Sequence, residues 1–146
     1  MRLWRGSSKR GQSMVEFAII LPIIFMLIVL LIDVTRIVYT WGGIHFAVSS
    51  VADRAASGET EAGQTRENSI AGWITGITTN LSIPNVTVTF TDKSGGATAG
   101  ASAEFFSVKA QTALTLFPVT ASLLALTGGT GKLTMSAETA VRNENF

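Results

Sequence analysis

The sequence predicts an α+β protein: a long N-terminal helix, embedded in a membrane over its first half, packed through its second half on a small antiparallel sheet. Three observations carry this. Residues 17–32 (FAIILPIIFMLIVLLI) are sixteen without a charge. Apolar residues then recur at helical spacing as far as Ala55, and three later segments alternate apolar with polar residues as half-buried strands do. Composition agrees. The 146 residues are 47% hydrophobic and only 14% charged, against about 25% charged in ordinary soluble domains. The mean hydropathy of +0.38 requires a greasy segment.

That segment opens the chain. Extended back to Met14 it covers residues 14–32, which at 1.5 Å per helical residue is about 28 Å, close to the thickness of bilayer hydrocarbon. Arg2, Arg5, Lys9 and Arg10 precede it with no acid among the first eleven residues, so the N-terminus is expected in the cytoplasm and the rest outside. Tyr39 and Trp41 follow the span, as interfacial aromatics do. A cleaved secretory signal shares the basic and apolar regions, but no small-residue cleavage site follows Ile32, where Asp33-Val34-Thr35-Arg36 stands. The helical pattern also continues. Val34, Val38, Trp41, His45, Val48, Ala52 and Ala55 recur three and four apart, which predicts one helix over about residues 13–56 with this stripe toward the sheet. Gly42 and Gly43 weaken that helix and are candidates for a bend; Pro22 removes one of its hydrogen bonds.

Residues 57–146 are expected to form a domain. Residues 57–69 are a polar loop. Ile70, Ile74, Ile77 and Leu81 predict a helix over about residues 65–80, with Pro84 beyond its end. Val86, Val88 and Phe90 alternate with threonines in a first strand. Residues 93–102 are a flexible connection. Phe106, Val108, Ala110, Leu114 and Leu116 share one parity in a second strand. Pro118 and the pair Gly128, Gly129 bracket a short helix, and Leu133, Met135, Ala137, Thr139 and Val141 line a third strand. A greasy helix running out of a small sheet packed on its lower half is the architecture of pilin-like proteins.

Arg10-Gly11-Gln12-Ser13-Met14-Val15-Glu16-Phe17 resembles the processing site of type IV prepilins of the Flp/Tad kind. The string from Arg10 through Tyr39, including Leu21-Pro22, is similar to the TadE-like family over about residues 10–55, and residues 133–144 resemble its closing strand. The resemblance implies a minor pilin or pseudopilin of the tight-adherence (Tad/Flp) pilus, needed for pilus assembly or adhesion. It implies a leader at residues 1–11, removed by a prepilin peptidase between Gly11 and Gln12, and a role for Glu16 and Phe17 at the fifth and sixth mature positions in subunit assembly and register. The implied place is the bacterial inner membrane, in a single pass with the C-terminal domain in the periplasm, or in the filament outside. The implied partners are the prepilin peptidase, other pilin and pseudopilin subunits, the inner-membrane pilus platform and the lipid bilayer. Gln12 stands where minor pseudopilins of type II secretion systems usually have an aromatic residue.

The residues supply physical reasons. Gly11 lets an extended backbone approach a peptidase closely, though a linker glycine would read the same alone. Glu16 is a carboxylate at the edge of hydrocarbon, where a charge requires a partner. Cleavage creates one, the Gln12 amine of a neighbouring subunit; the simpler reading is an anion on the helix macrodipole. The leader holds four of the eleven basic residues and none of the ten acids, so its removal leaves seven against ten, a side-chain charge of −3.

Enzyme chemistry finds no support. No cysteine is present, which excludes a disulfide framework, a Cys-based zinc site and a cysteine nucleophile. His45 is the one histidine, too few for a metal cluster or a nucleophile–base pair, and is expected to face the sheet. No catalytic residue, metal or cofactor is therefore expected. Residues 128–132 (GGTGK) fail as a phosphate loop, because Leu133 replaces the hydroxyl residue and Leu126 the first glycine. Asn80 and Asn85 match the N-glycosylation pattern, which is common by chance. Lys93, Lys109, Lys132 and Arg142 are scattered among acids, so no nucleic-acid partner is expected. Asp33 and Arg36 read as a helix surface pair or a subunit contact, Asp53 and Arg54 as solvent-facing, and Trp73 as a packing edge or subunit contact. The competing class is an unprocessed single-pass protein anchored in the inner membrane, serving as a periplasmic scaffold or binding protein.

Overall fold

A computed structural model describes residues 9–92, 96, 99 and 105–142, with backbone alone for Lys9 and Arg10. The leader up to residue 8 and most of the 93–102 connection lie outside these residues. The elements run α1 (Lys9–Ala56), α2 (Arg66–Asn80), β1 (Thr87–Asp92), β2 (Phe105–Thr115), α3 (Pro118–Ala125) and β3 (Lys132–Arg142). The strands form an antiparallel sheet in the order β1-β2-β3. This is the expected α+β arrangement.

The strand parities hold. Phe106 pairs with Val141, Ala110 with Ala137 and Leu114 with Leu133, while Phe90 of β1 pairs with Val108. One face of β2 and β3 is therefore apolar, and Phe106, Val108, Ala110, Leu114, Met135, Ala137 and Val141 are buried on it. Thr112 lies within this face and donates its hydroxyl to the Pro84 carbonyl. The second half of α1 crosses the face, with α2 packed beside it. Ile44, Ala47, Val48, Val51 and Ala55 of α1 and Ile70 and Ile74 of α2 complete the core.

The face that α1 turns to the sheet differs from the expected one. Val34, Val38 and Trp41 are exposed. The buried positions are Asp33, Thr40, Ile44, Ala47, Val48, Val51 and Ala55, with Ile37 partly buried. Of the expected stripe, Val48 and Ala55 are buried and Ala52 packs against the core. Both stripes have spacings of three and four; the one chosen carries the longer aliphatic side chains. His45 lies near its rim, edge-on to Trp41 with ring centroids 4.5 Å apart.

α1 starts at Lys9, before the expected residue 13, and runs for 48 residues, about 72 Å. It passes through Pro22, Gly42 and Gly43 as helix. Gly43 makes a close approach: a Cβ there would lie 2.5 Å from Ile83 Cδ1, where the loop after α2 crosses α1, and the Ile83 side chain would have to shift. Arg66, at the first position of α2, donates to the Ala55 carbonyl at the C-terminus of α1 and stacks 5.3 Å over Phe106. A guanidinium there satisfies an open carbonyl and suits the negative end of the helix dipole. Thr65 caps α2 by accepting from the Asn68 amide.

Candidate functional site

The predicted site residues lie on consecutive turns at the start of α1, and the helix alone positions them. Gly11, Gln12, Glu16 and Phe17 are all exposed. Gln12 and Glu16 are one turn apart, and the Gln12 side-chain amide donates to Glu16 Oε1 at 3.1 Å. Glu16 has no ion pair among the described residues; the two formed there join Arg36 to Asp33 and Arg54 to Glu59. A Cβ at Gly11 would meet nothing within 4 Å. The fold therefore gives no packing reason for glycine at position 11, in contrast to Gly43. Phe17 is 62% exposed and starts the bare apolar surface of the span.

A second constellation stands where α1 leaves the apolar run, and sequence reasoning missed it. Asp33 is 2% exposed. Its Oδ1 pairs with Arg36 at 3.2 Å, as the spacing predicted. Its Oδ2 accepts from the Phe117 amide at 3.0 Å and from the Thr120 hydroxyl. Phe117 is the N-cap residue of α3 and has no side chain able to cap it. A carboxylate borrowed from α1 thus satisfies the first turn of α3, where the helix dipole favours negative charge. Arg36 lies 5.1 Å from the Phe117 ring centroid, closing the cluster. The signal was present: Asp33 is the sole acid between Glu16 and Asp53, and Phe117-Pro118 begins a helix without a cap.

The remaining candidates are structural. Arg54 pairs with Glu59 at 3.0 Å and lies 4.2 Å over the Trp73 ring, while Trp73 Nε1 donates to Glu61 at 2.8 Å. Asp53 and Arg54 are both exposed, as expected, and Arg54 makes these contacts at the surface. Gly128 and Gly131 have φ of +85° and +70° and turn the chain from α3 into β3. Glu67 accepts from the Ala99 amide at 3.1 Å, and that hydrogen bond, with others, holds its carboxyl below the ordinary range. No group of three potential metal ligands occurs among the described residues.

A long helix with one bare apolar half, its other half laid on a small sheet, is an α+β arrangement consistent with a membrane anchor. The particular resemblance lies in the helix: residues 11–56 match the family model described as TadE-like protein. That match covers α1 from Gly11 to its end and none of the sheet domain. No curated protein and no solved structure matches the chain.

Proposed function

We propose that this chain is a minor pilin or pseudopilin of a tight-adherence type IV pilus, cut by a prepilin peptidase between Gly11 and Gln12 and needed for pilus assembly or adhesion. The observation that carries this reading is the TadE-like match over α1. The exposure of α1 supports it. Val38, Trp41 and Phe46 lie beyond the apolar run, yet the chain's own domain leaves them uncovered. Helices of neighbouring subunits would cover them. The N-terminus lies in the cytoplasm, the domain in the periplasm, and the subunit acts with other pilins and the membrane platform.

Each site residue then has a task. Gly11 lies in the first turn of α1, whose amides lack intrahelical partners, so little structure is lost when the peptidase opens it. Glycine at the cut keeps the peptide accessible. Cleavage frees the Gln12 amine, one turn from Glu16. Among the described residues Glu16 holds a neutral amide and no cation, so it is available to the charged amine of an adjacent subunit. Such a pair sets axial register, which uniform Leu, Ile and Val packing sets poorly. Phe17 adds an aromatic contact beside it.

Intact mass of the protein from its own host tests this. The expected chain begins at Gln12, and Gly11→Val leaves the leader attached, in a helix that tolerates the side chain. A retained leader beside an active peptidase would favour the anchored scaffold instead.

A further inference from the structure

The surface left unexplained is α3. Between Lys109 and Lys132 the chain has 22 residues without a charge, and α3 lies among them. The helix is apolar nearly all round. Val119 and Leu123 are exposed, as are Phe117 before it and Leu126 after it, with Leu126 82% exposed. For a solvated surface helix this is the wrong composition.

Its position is fixed against α1. Leu123, Leu124 and Thr127 share a cleft of about 320 Å³ with Leu30, Val34 and Ile37. Leu30 belongs to the apolar run, and the other two follow it by one and two turns. Asp33 locks this level by capping α3. Any placement of α1 that buries the run in hydrocarbon therefore brings α3 to the outer boundary of the bilayer.

The charged groups at this level are arranged for that boundary. Asp33 is screened by an amide, a hydroxyl and Arg36. Arg36, on the Phe117 ring, has an apolar stem and a head able to reach water. With the carboxylate covered, the bare surface of α1 continues through Leu30 and Val34 to α3.

We propose that α3 is a membrane-surface helix, seated in the outer interfacial layer of the same bilayer that α1 crosses, with Val119, Leu123 and Leu126 among the lipids. The occupant of this face is the lipid, by continuity with the span. The proposal rests on α1 spanning the bilayer. Its consequence is that the domain sits on the membrane as well as hanging from it.

The chain has no cysteine, so single labels can be placed cleanly. Leu126→Cys reports α3, Leu27→Cys the span, and Thr60→Cys, in the loop beyond α1, the distal side of the domain. Each full-length variant is labelled with an environment-sensitive fluorophore. It is reconstituted in phosphatidylcholine–phosphatidylglycerol vesicles carrying nitroxides either near the headgroup or at mid-chain. Circular dichroism confirms an unchanged fold. The expected result is blue-shifted emission at Leu126→Cys, quenched best by the headgroup-proximal nitroxide. Leu27→Cys should be quenched best at mid-chain, and Thr60→Cys by neither. Quenching at Leu27→Cys with water-like, unquenched emission at Leu126→Cys overturns the proposal and leaves the span intact. A blue shift at Leu126→Cys without quenching, growing with protein-to-lipid ratio, also overturns it, because a second copy then covers α3. Absence of quenching at Leu27→Cys removes the span itself, and the proposal with it.

Discussion

The two halves of α1 are one helix with opposite dependencies. From Gly11 to Ile28 every residue is exposed. From Asp33 to Ala55 a buried or partly buried residue recurs every three or four positions, and this half packs on the sheet, α2 and α3. Apart from the open amides of its first turn and the hydrogen bond lost at Pro22, the first half has its backbone bonds satisfied internally, and its side chains are unmatched. Lipid or other helices must supply its environment. The second half carries its environment within the chain. Substitutions in the first half should therefore act on assembly and leave the fold intact. Those in the second should act on the fold first.

Glu16→Ala presses that contrast hardest. Cleavage and membrane level should persist, since the leader's charges and the apolar run drive insertion. Surface piliation should be lost or sharply reduced, since a misaligned ion pair costs about 3–5 kcal/mol. Counting pili beside an immunoblot of processed protein checks this, and normal piliation would reduce Glu16 to a helix-end anion. In the second half, Ile44→Ala should destabilise the domain by about 2–5 kcal/mol through a cavity under the sheet, read by denaturant unfolding of the full chain in detergent. The same change at Ile24, exposed in the span, should leave that transition unmoved.

Asp33→Ala sharpens the boundary between the halves. It strands the Phe117 amide, at an expected cost of about 1–3 kcal/mol, while the Thr120 hydroxyl keeps the Phe117 carbonyl as an acceptor at 2.9 Å. Hydrogen exchange should rise in α3 before the sheet. A uniform rise across the domain would show that the carboxylate stabilises more than its own helix. The smallest effect concerns Glu67, which lies far from the span. Its carboxyl is held below the ordinary value near 4.3, so its stabilisation is fully present above that pH and is lost as pH falls through the lower, folded value. Glu67→Gln should flatten this acid limb slightly in a pH series of thermal unfolding and change little at neutral pH.

Much of this was legible. β2 and β3 read correctly because their buried face keeps one parity over eleven residues each. Pro118 and Gly128 mark α3 by what they do to the backbone. The sheet-facing side of α1 read less well, because two stripes satisfy the same periodicity. Val34, Val38 and Trp41 look more continuous than a stripe interrupted by Asp33 and Thr40. Spacing cannot see that Asp33 is made compatible with burial by groups 84 and 87 residues away. The start of α1 is a similar case: Lys9 to Gln12 follow no apolar pattern, yet the helix extends over them. The positions of Gly11, Gln12, Glu16 and Phe17 were legible because spacing along one helix fixes them. Under the proposed function their partners would belong to other molecules, which one chain does not encode.

The clasp at Asp33 also decides how the molecule bears load. Gly42 and Gly43 would make the natural hinge in a free helix of this length. Here the domain grips α1 on both sides of them, through Asp33 below and through Val51 and Ala55 above. It works as a splint across the joint. Axial force on the span is shared between the covalent chain at Ala56 and a second attachment 23 residues earlier, about 35 Å along the axis. Torque applied to the span turns the sheet with it. The rod and its head should then move together, and Pro22, deep in the apolar half, is where the helix lacks a backbone hydrogen bond.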